Sequence, residues 1–332
     1  MYLMKKLFYQ IYCLFFLVLV KETVAQKLPI YSDYLSDNVY LLHPTAAGIG
    51  NSSKLRFTTR QQWVGIDNAP ALQTVSFHSR FNYEYPRGAA YGFIAFNDRN
   101  GFQSQKGFQG TYAYHLPITV DRFFNQLSFG LSFSLIQNQS DRTSFRNRGD
   151  IIGGNIIATN FLNADFGVAY HYGGFSSYFS VKNLFLTQAN NQNINKATGL
   201  RNFIFSFGYY FGEEKFIQLE PSVLFQLRQA TGERIADLNL KAYRTFGNKQ
   251  LWAAVSYRQS FDENTIEDLR LFTPIIGINF NKMMFSYTYT QQLNDIVLTN
   301  SGFHQITIGF NLWTVEPRAA GCPNIASPFG SF

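Results

Sequence analysis

The residue types that usually carry catalysis or bind metals are scattered in this chain. No HExxH motif or other metal-ligand spacing includes any of the five histidines, which are His43, His78, His115, His171 and His304. Gly-x-Ser-x-Gly and a phosphate-binding glycine loop are also missing from the sequence. Four carboxylates share one predicted loop, where solvated charge is favoured over a calcium site, a partner contact or a catalytic pair: Asp262, Glu263, Glu267 and Asp268. The sequence therefore predicts no enzyme, no cofactor and no metal; His115 and His171 are expected to be hydrogen-bonded structural residues.

The N-terminus predicts export. Lys5 and Lys6 precede an apolar run over residues 7–20, and Thr23-Val24-Ala25 offers small residues for cleavage. A signal peptide over residues 1–25 is favoured over a membrane anchor, because the run is shorter than the ~20 residues that span a bilayer. Cleavage removes Cys13 and leaves Cys322 alone, so the mature chain has no internal disulfide. A free thiol is favoured there over an intermolecular link.

Charge and composition limit the partners. The net charge is +7, but lysine and arginine form no dense block, which argues against nucleic-acid binding. Dispersed loop charge is favoured over a surface for lipopolysaccharide or an acidic partner. Aromatic residues make up 17% of the chain while the mean hydropathy is only −0.12. That combination is typical of a membrane β-barrel, in which half of each strand faces the lumen.

Alternation of apolar and polar residues is the main structural signal. Leu127, Phe129, Leu131, Phe133 and Leu135 alternate with serines and a glycine, so one face of the strand is apolar. In lipid that face turns outward, and the sheet must close because every backbone group has to pair. Such segments predict about 14 antiparallel strands, at 54–60, 71–81, 88–97, 105–116, 125–137, 161–171, 174–183, 201–212, 216–228, 233–246, 249–259, 270–280, 282–291 and 302–313.

The predicted connections alternate between short and long. Short ones include 172–174, 212–215, 247–249 and 281, and long ones include 138–160, 184–200, 260–269 and 292–301. Short turns face the periplasm in outer-membrane barrels, which places both termini there. The fold class is therefore an all-β transmembrane outer-membrane barrel. A soluble sandwich or solenoid is disfavoured, because the apolar rows are rich in phenylalanine and tyrosine.

Individual rows can be assigned to the two faces of the wall. We expect lipid-facing rows at Phe203, Phe205, Phe207, Tyr209 and Phe211, and at Phe272, Ile276, Ile278 and Phe280. We expect lumen rows at Asn163, Asp165 and His171, at Gln218, Glu220 and Gln226, and at Asp237, Asn239 and Lys241. Pro221 and Pro274 predict a bulge or irregular pairing, because proline lacks a ladder donor.

Residues 26–53 precede the first strand and are too apolar for a free tail. We expect them to pack in the lumen or at the periplasmic mouth, which would give a plugged barrel. The predicted organisation is a signal peptide (1–25), this N-terminal segment (26–53), a barrel (54–313) and a periplasmic tail (314–332). The apolar residues that require burial are Leu28, Ile30, Tyr31, Tyr34, Leu35, Val39, Tyr40, Leu41 and Leu42.

Two motifs in the first third of the chain are more specific than a barrel requires. Tyr40 and Pro44, followed by Ala47-Gly48, form the first, although Thr45 stands where alanine is commoner. The second has the form Gln-Trp-x-Gly…Ala-Pro…Gln-Thr, from Gln62, Trp63, Gly65, Ala69, Pro70, Gln73 and Thr74. With these motifs the chain resembles the PorP/SprF family of Bacteroidetes outer-membrane proteins. Tyr40, Pro44, Gly48, Gln62, Gly65, Pro70 and Gln73 are the structural residues of the family motifs.

The resemblance implies a non-enzymatic component of the type IX secretion system in the outer membrane. A SprF-like member would bind the C-terminal domain of a large secreted adhesin and support its export and surface attachment in gliding motility. A PorP-like member would contact the periplasmic ring of the secretion core. A passive porin or solute channel is the alternative from a different class, and a hydrolase is the least favoured.

Two predicted external loops could bind a partner. Trp63 and Asp67 lie in the first hairpin, where a girdle tryptophan is an equally good interpretation. Asn191 and Asn193 lie in an Asn/Gln-rich loop that offers uncharged hydrogen bonding or is simply disordered. The predicted partners are thus an adhesin domain, other secretion components and outer-membrane lipid.

Overall fold

The computed structural model describes residues 35, 38–62, 69–82, 88–119, 125–141, 156–184, 187–188, 201–212, 215–229, 231–247, 249–261, 270–293 and 302–313. Within this part of the chain, fourteen strands form the wall of a closed antiparallel barrel, and a two-residue strand, β8, continues the line of β7 beside β6. The strands are β1 (Ser53–Gln62), β2 (Ala71–Arg80), β3 (Gly88–Asn100), β4 (Gln103–Thr119), β5 (Asn125–Asp141), β6 (Ile156–Tyr172), β7 (Phe175–Lys182), β8 (Thr187–Gln188), β9 (Asn202–Tyr209), β10 (Gln218–Arg228), β11 (Arg234–Phe246), β12 (Lys249–Ser260), β13 (Arg270–Phe280), β14 (Met283–Gln292) and β15 (Phe303–Leu312).

Wall strands that follow one another in the chain are hydrogen-bonded, and β15 closes the ring against β1. The closing pair has continuous register from Ser53 opposite Leu312 to Gln62 opposite Phe303. Closure gives every wall strand a hydrogen-bonded neighbour on each side. Backbone groups surrounded by lipid require this pairing. The predicted fold class, a barrel of about 14 antiparallel strands, is therefore confirmed.

Burial alternates along the strands as the sequence predicts. The expected lipid-facing residues on β9 and β13 are exposed, except Phe203, which is half-buried. The expected lumen residues on β6, β10 and β11 are buried. Inward charges therefore lie inside the barrel, where they find polar partners. The exposed aromatic and aliphatic side chains form the outer surface, which is the surface that lipid contacts.

Both strand prolines lie where the pairing with one neighbour is interrupted. Pro221 pairs with Leu240 of β11, but the β9 ladder starts only at Ser222. Pro274 pairs with Val255 of β12, and the β14 ladder is broken between Phe272 and Ile275. Irregular pairing is thus confirmed, although the register is the same on both sides of each gap.

The connections divide by the end of the barrel at which they lie. We call the end where β1 begins and β15 ends the proximal end, and the opposite end the distal end. Three proximal connections contain only two residues, at 173–174, 247–248 and 281–282. The other proximal connections, at 81–87, 120–124 and 210–217, contain five to eight residues. Six distal connections contain five to nineteen residues, at 63–70, 142–155, 183–201 (which includes β8), 229–233, 261–269 and 293–302, and the distal turn at 101–102 contains two. The predicted alternation is therefore a tendency, with overlap between the two ends.

Two short 3-10 turns, Val39–Leu41 and Pro44–Ala46, precede β1. In the described part of the chain, no helix has the length and apolar character that a membrane crossing requires. A cluster of buried apolar side chains lies inside the barrel instead. It joins the two turns to inward residues of the wall, among them Ile204, Leu224, Trp252, Ile275 and Met284.

Candidate functional site

The residues between the described start of the chain and β1 form the most distinctive feature of the interior. We call Asn38–Ser52 the lumen segment. Tyr40, Leu41, His43 and Thr45 are each at most 1% exposed. Because the side chains around them come from inward-facing positions of the wall, the lumen segment lies inside the barrel and fills part of it.

Tyr40 anchors the segment against β3 and β4. Its hydroxyl donates to Thr111 Oγ1 at 2.8 Å, and its ring meets the His78 ring edge-on at 5.1 Å. A Cβ atom on Gly92 would lie 2.5 Å from the Tyr40 hydroxyl oxygen. Glycine is therefore required at Gly92, because any side chain there would occupy the space that Tyr40 fills.

Pro44 and Thr45 lie directly on the backbone of β5. A Cβ atom on Gly130 would come within 2.5 Å of the Thr45 nitrogen and 2.6 Å of the Pro44 carbonyl carbon. The neighbouring Gly167 of β6 would place a Cβ 3.3 Å from Thr45 Cγ2. Two adjacent strands thus carry glycine where the second 3-10 turn contacts the wall.

His43 joins the lumen segment to β7 and β9. Its two ring nitrogens lie 2.9 Å from the hydroxyls of Ser180 and Ser206, and its ring stacks on Tyr178 at 4.9 Å. Burial, with a smaller contribution from the charge of Lys182, lowers the pKa of His43 to about 3. The imidazole is therefore neutral at physiological pH, donating to one serine and accepting from the other.

An ion pair on the wall also contacts the lumen segment. Lys182 of β7 lies 3.1 Å from an Asp165 carboxylate oxygen and donates to the Leu41 carbonyl at 3.4 Å. The other Asp165 oxygen accepts from the Asn183 backbone at 2.9 Å. Because each partner makes further hydrogen bonds, this buried pair has compensation for its lost hydration.

The end of the segment is fixed by its backbone. The Ala47 carbonyl lies 2.8 Å from His115 Nε2, and the Gly48 nitrogen donates to His78 Nδ1 at 2.9 Å. The Gly48 carbonyl accepts from Arg80 Nε at 2.8 Å. Gly48 has a φ of +70°, so a side chain would be strained there as well as crowded.

The opposite wall carries a second set of inward polar contacts. Arg258 forms a bidentate salt bridge with Asp237, in which both N···O distances are 2.7 Å. Farther along β11, the Lys241 ammonium lies 4.2 Å from the Trp252 ring centroid. The charges of this wall are thus held by partners within the barrel, next to the apolar cluster that packs on the lumen segment.

The structure separates the family-motif residues into two groups. Tyr40, Pro44 and Gly48 lie together in the lumen segment, whereas Gln62, Pro70 and Gln73 lie at the distal ends of β1 and β2. The Gln62 backbone donates to the Pro70 carbonyl at 2.9 Å, which closes this hairpin. Gln73 faces outward and accepts from Asn97 at 3.3 Å.

Several predicted residues lie outside the described part of the chain. They are Gly65 and the four candidate partner-binding residues, Trp63, Asp67, Asn191 and Asn193. The signal peptide, the acidic loop residues 262–268, Cys322 and the tail also lie outside it. These assignments, and the division into domains, stay predictions.

Sequence reasoning missed the wall residues that receive the lumen segment. Gly92, Gly130, Ser180 and Ser206 occupy inward strand positions, and the sequence indicated only that such positions are small or polar. Small residues at inward positions of neighbouring strands were the signal in the sequence that could have indicated where the lumen segment packs. No group of three or more potential metal ligands occurs among the residues that the structure describes.

A closed antiparallel wall with an apolar outer surface and polar inward rows defines a β-barrel of the outer-membrane type. The model of a family described as type IX secretion system membrane protein PorP/SprF matches residues 23–310. The chain therefore belongs to the PorP/SprF family of outer-membrane proteins, which confirms the resemblance found in the sequence. A comparison with curated proteins finds no match.

Solved barrels are similar only in outline. A FadL homologue of Pseudomonas aeruginosa is 9% identical, with a TM-score of 0.47 over 79% of this chain and 90% of that one. The deltaS2 mutant of the TodX monoaromatic hydrocarbon channel is 8% identical, with a TM-score of 0.46 over 82% and 93%. Omp33 of Acinetobacter baumannii is 7% identical, with a TM-score of 0.43 over 80% and 100%. These likenesses are too distant to indicate what this chain binds.

Proposed function

We propose that this type IX secretion component is a non-enzymatic, SprF-like partner of a secreted adhesin. It binds the C-terminal domain of the adhesin at the distal end of the barrel and supports export and surface attachment in gliding motility. The family match supports the secretion role. The distal end faces the cell exterior and the proximal end the periplasm, as the short proximal turns favour.

The filled lumen is the observation that carries this proposal against a passive channel. The lumen segment is buried among wall side chains and contacts strands on several sides of the barrel. A solute would have to displace Tyr40, Leu41 and His43 with their hydrogen bonds and packing. A protein partner is therefore expected to use the outside of the barrel.

The distal part of β6 offers a surface for such a partner. Residues 156–160 pair with β5, but β7 pairs with β6 only from Phe166 to Tyr172, and β8 pairs only at Phe161 and Leu162. Among the described residues, no strand pairs with the second edge of 156–160. Unpaired backbone donors and acceptors at a sheet edge can bind an extended segment of another protein.

The proposed binding surface also includes residues of two distal connections. Trp63 and Asp67 belong to the connection between β1 and β2, and Asn191 and Asn193 to the one between β7 and β9. Tryptophan is a frequent anchor of protein interfaces, and asparagine offers hydrogen bonds without a charge to desolvate. We expect Trp63 to contribute most to the affinity.

Affinity purification of the tagged protein from outer membranes, followed by mass spectrometry, tests the proposal. We expect one large exported protein with a C-terminal secretion domain. Substituting Trp63→Ala together with Asp67→Ala should reduce its recovery at least tenfold, whereas Gln61→Ala, an exposed change on the same strand, should not. Equal recovery from all three proteins would remove this hairpin from the binding surface.

Other outcomes favour the alternatives. Recovery of periplasmic ring proteins instead of an adhesin would indicate a PorP-like core role. Recovery of the protein alone, combined with large and steady conductance in planar bilayers, would indicate a porin. Loss of all type IX secretion on deletion would support the core role, and a defect limited to one substrate would support the dedicated partner.

A further inference from the structure

An arginine on the outer surface near the proximal end has no hydrogen-bond acceptor among the residues that the structure describes. Arg244 is the third residue from the end of β11 and faces outward, on the same side as Leu240 and Phe246. Its guanidinium carbon lies 3.7 Å from the Phe216 ring centroid and 4.2 Å from that of Phe246. The cation is therefore held between two aromatic rings at the border of the apolar outer surface.

The Arg244 guanidinium makes no polar contact within the described part of the chain. Its Nε is buried and has no acceptor, and the two ring contacts are its interactions there. Aromatic rings compensate part of the lost hydration of a cation, but they accept none of its five N–H bonds in the strong, in-plane direction. An anion from outside the protein would satisfy these donors.

A second cation lies on the adjacent hairpin strand. Lys249 of β12 pairs in register with Phe246, and its ammonium lies 5.2 Å from the Phe280 ring centroid. Lys282 is exposed in the next proximal turn. These residues form what we call the proximal basic patch: Arg244, Lys249 and Lys282.

No described carboxylate balances the proximal basic patch. The described acidic residues lie in the lumen or toward the distal end, and they are Asp98, Asp141, Asp165, Glu220, Glu233 and Asp237. Glu213 and Glu214 precede Lys215 outside the described residues. Lys215 is therefore not counted in the patch, and Arg244 with Lys249 carries the inference.

We propose that Arg244 and Lys249 bind the phosphate of a glycerophospholipid in the membrane leaflet at the proximal end. A planar guanidinium can donate two parallel hydrogen bonds to phosphate oxygens, and Lys249 adds a second charge. The acyl chains of the lipid would lie on the outward apolar row above, where Leu251 pairs with Arg244. The phenylalanine rings hold the arginine side chain in place for this contact.

Native mass spectrometry of the detergent-solubilised protein, titrated with phosphatidylglycerol, tests the site. We expect Arg244→Gln to weaken binding of the most tightly held lipid about tenfold. Arg244→Lys retains the charge but cannot donate two parallel hydrogen bonds, so it should weaken lipid binding less. Arg234→Gln is the matched control, because Arg234 is exposed on the outward face of the same strand at the distal end. It should leave binding unchanged.

The shift of unheated protein in electrophoresis verifies that each variant is folded. Equal lipid binding by wild type and Arg244→Gln would overturn the proposal, as would equal binding of phosphatidylglycerol and the phosphate-free lipid diacylglycerol. Purified lipid A provides a second source of phosphate. If lipid A bound more tightly than phosphatidylglycerol in an Arg244-dependent manner, the assignment to glycerophospholipid would be wrong.

Discussion

Close contacts between glycine and the lumen segment explain the Tyr40 to Pro44 motif at the level of single residues. Tyr40 occupies the space above Gly92, and Pro44 lies on the backbone of Gly130. The motif residues and their receiving glycines are far apart in sequence but touch inside the barrel. A change on either side of such a contact should therefore disturb the same packing.

Gly130→Ala should destabilise the contact between the lumen segment and β5. The new methyl group would meet backbone atoms of Pro44 and Thr45, which cannot rotate away, and overpacking of this kind costs about 1–3 kcal/mol. Gly110→Ala on the neighbouring strand is the matched control, because nothing lies within 4 Å of the place that its new methyl group would occupy. The midpoint of heat-induced loss of the folded electrophoretic form measures both. Equal midpoints would contradict the close contact.

His43 should make the stability depend on pH. Its pKa is lowered in the folded protein from 6.5 to about 3, so its contribution is fully present above pH 6.5 and is lost as the pH falls toward 3. A single proton that binds only the unfolded protein lowers the free energy of unfolding by at most about 1.4 kcal/mol for each unit of pH decrease. Lys182 opposes protonation, while Asp165, Tyr178, Ser180 and Ser206 are the other titratable or polar groups nearby.

Denaturant titrations between pH 7.5 and 4 would measure this effect. His43→Gln retains hydrogen bonding to the two serines but cannot titrate, so its stability should fall less steeply with acid than that of wild type. Other buried histidines titrate in both proteins and cancel in the comparison. Parallel curves for wild type and His43→Gln would show that His43 is not buried as described.

At the level of secondary structure elements, the lumen segment depends on its surroundings. Its two 3-10 turns have three residues each and no side-chain caps, so they have little stability of their own. Buried apolar side chains and hydrogen bonds to the wall hold them instead. The segment should therefore detach as a unit when its apolar contacts are removed.

Replacing Leu41 and Leu42 together by alanine should release the lumen segment and open the barrel. Both leucines are buried, and each buried leucine-to-alanine change costs about 2–5 kcal/mol. The pairing between wall strands involves neither residue. Single-channel recordings in planar bilayers should show conductance that the wild type lacks. The control, Leu238→Ala with Leu240→Ala, removes the same volume from exposed outward positions and should remain closed. A closed Leu41/Leu42 variant would show that other parts of the chain block the pore.

At the level of the whole molecule, closure and the two kinds of face set the orientation in the membrane. Every wall strand pairs on both sides, and the outer surface carries the apolar side chains. The ends of the barrel then differ mainly in the length of their connections and in the basic patch. This difference is the basis for assigning the distal end to the cell exterior.

Epitope insertion should verify that orientation. Gly232 in the distal connection of β10 and β11, and Gly247 in the proximal turn of β11 and β12, both have positive φ and open space around them. An epitope at Gly232 should bind antibody on intact cells, whereas one at Gly247 should bind only after permeabilisation. The reverse pattern would place the proximal end outside and overturn the assignment of periplasmic termini.

The barrel could be predicted from the sequence because its signal is local. Alternation over five to nine residues, as in Leu127 to Leu135, is a direct consequence of strand geometry, and turn glycines and asparagines such as Gly247 and Asn281 mark the ends of strands. Because lipid surrounds the wall, the outward face of each strand is strongly apolar and can be recognised in the sequence. The number of strands, and the division of their residues into lipid-facing and lumen-facing rows, could therefore be predicted without tertiary information.

The interior was decided only by the tertiary structure. The sequence showed that Tyr40, Leu41 and Leu42 require burial, but not which wall residues surround the lumen segment. Thr111 contacts Tyr40, Gly130 contacts Pro44 and Thr45, and Ser206 contacts His43, because the closed barrel brings distant strands together. Inward positions of β9 to β14 are partly apolar and belong to the same buried cluster as the lumen segment. Local patterns can state that a side chain must be buried; the closed fold determines which residues bury it.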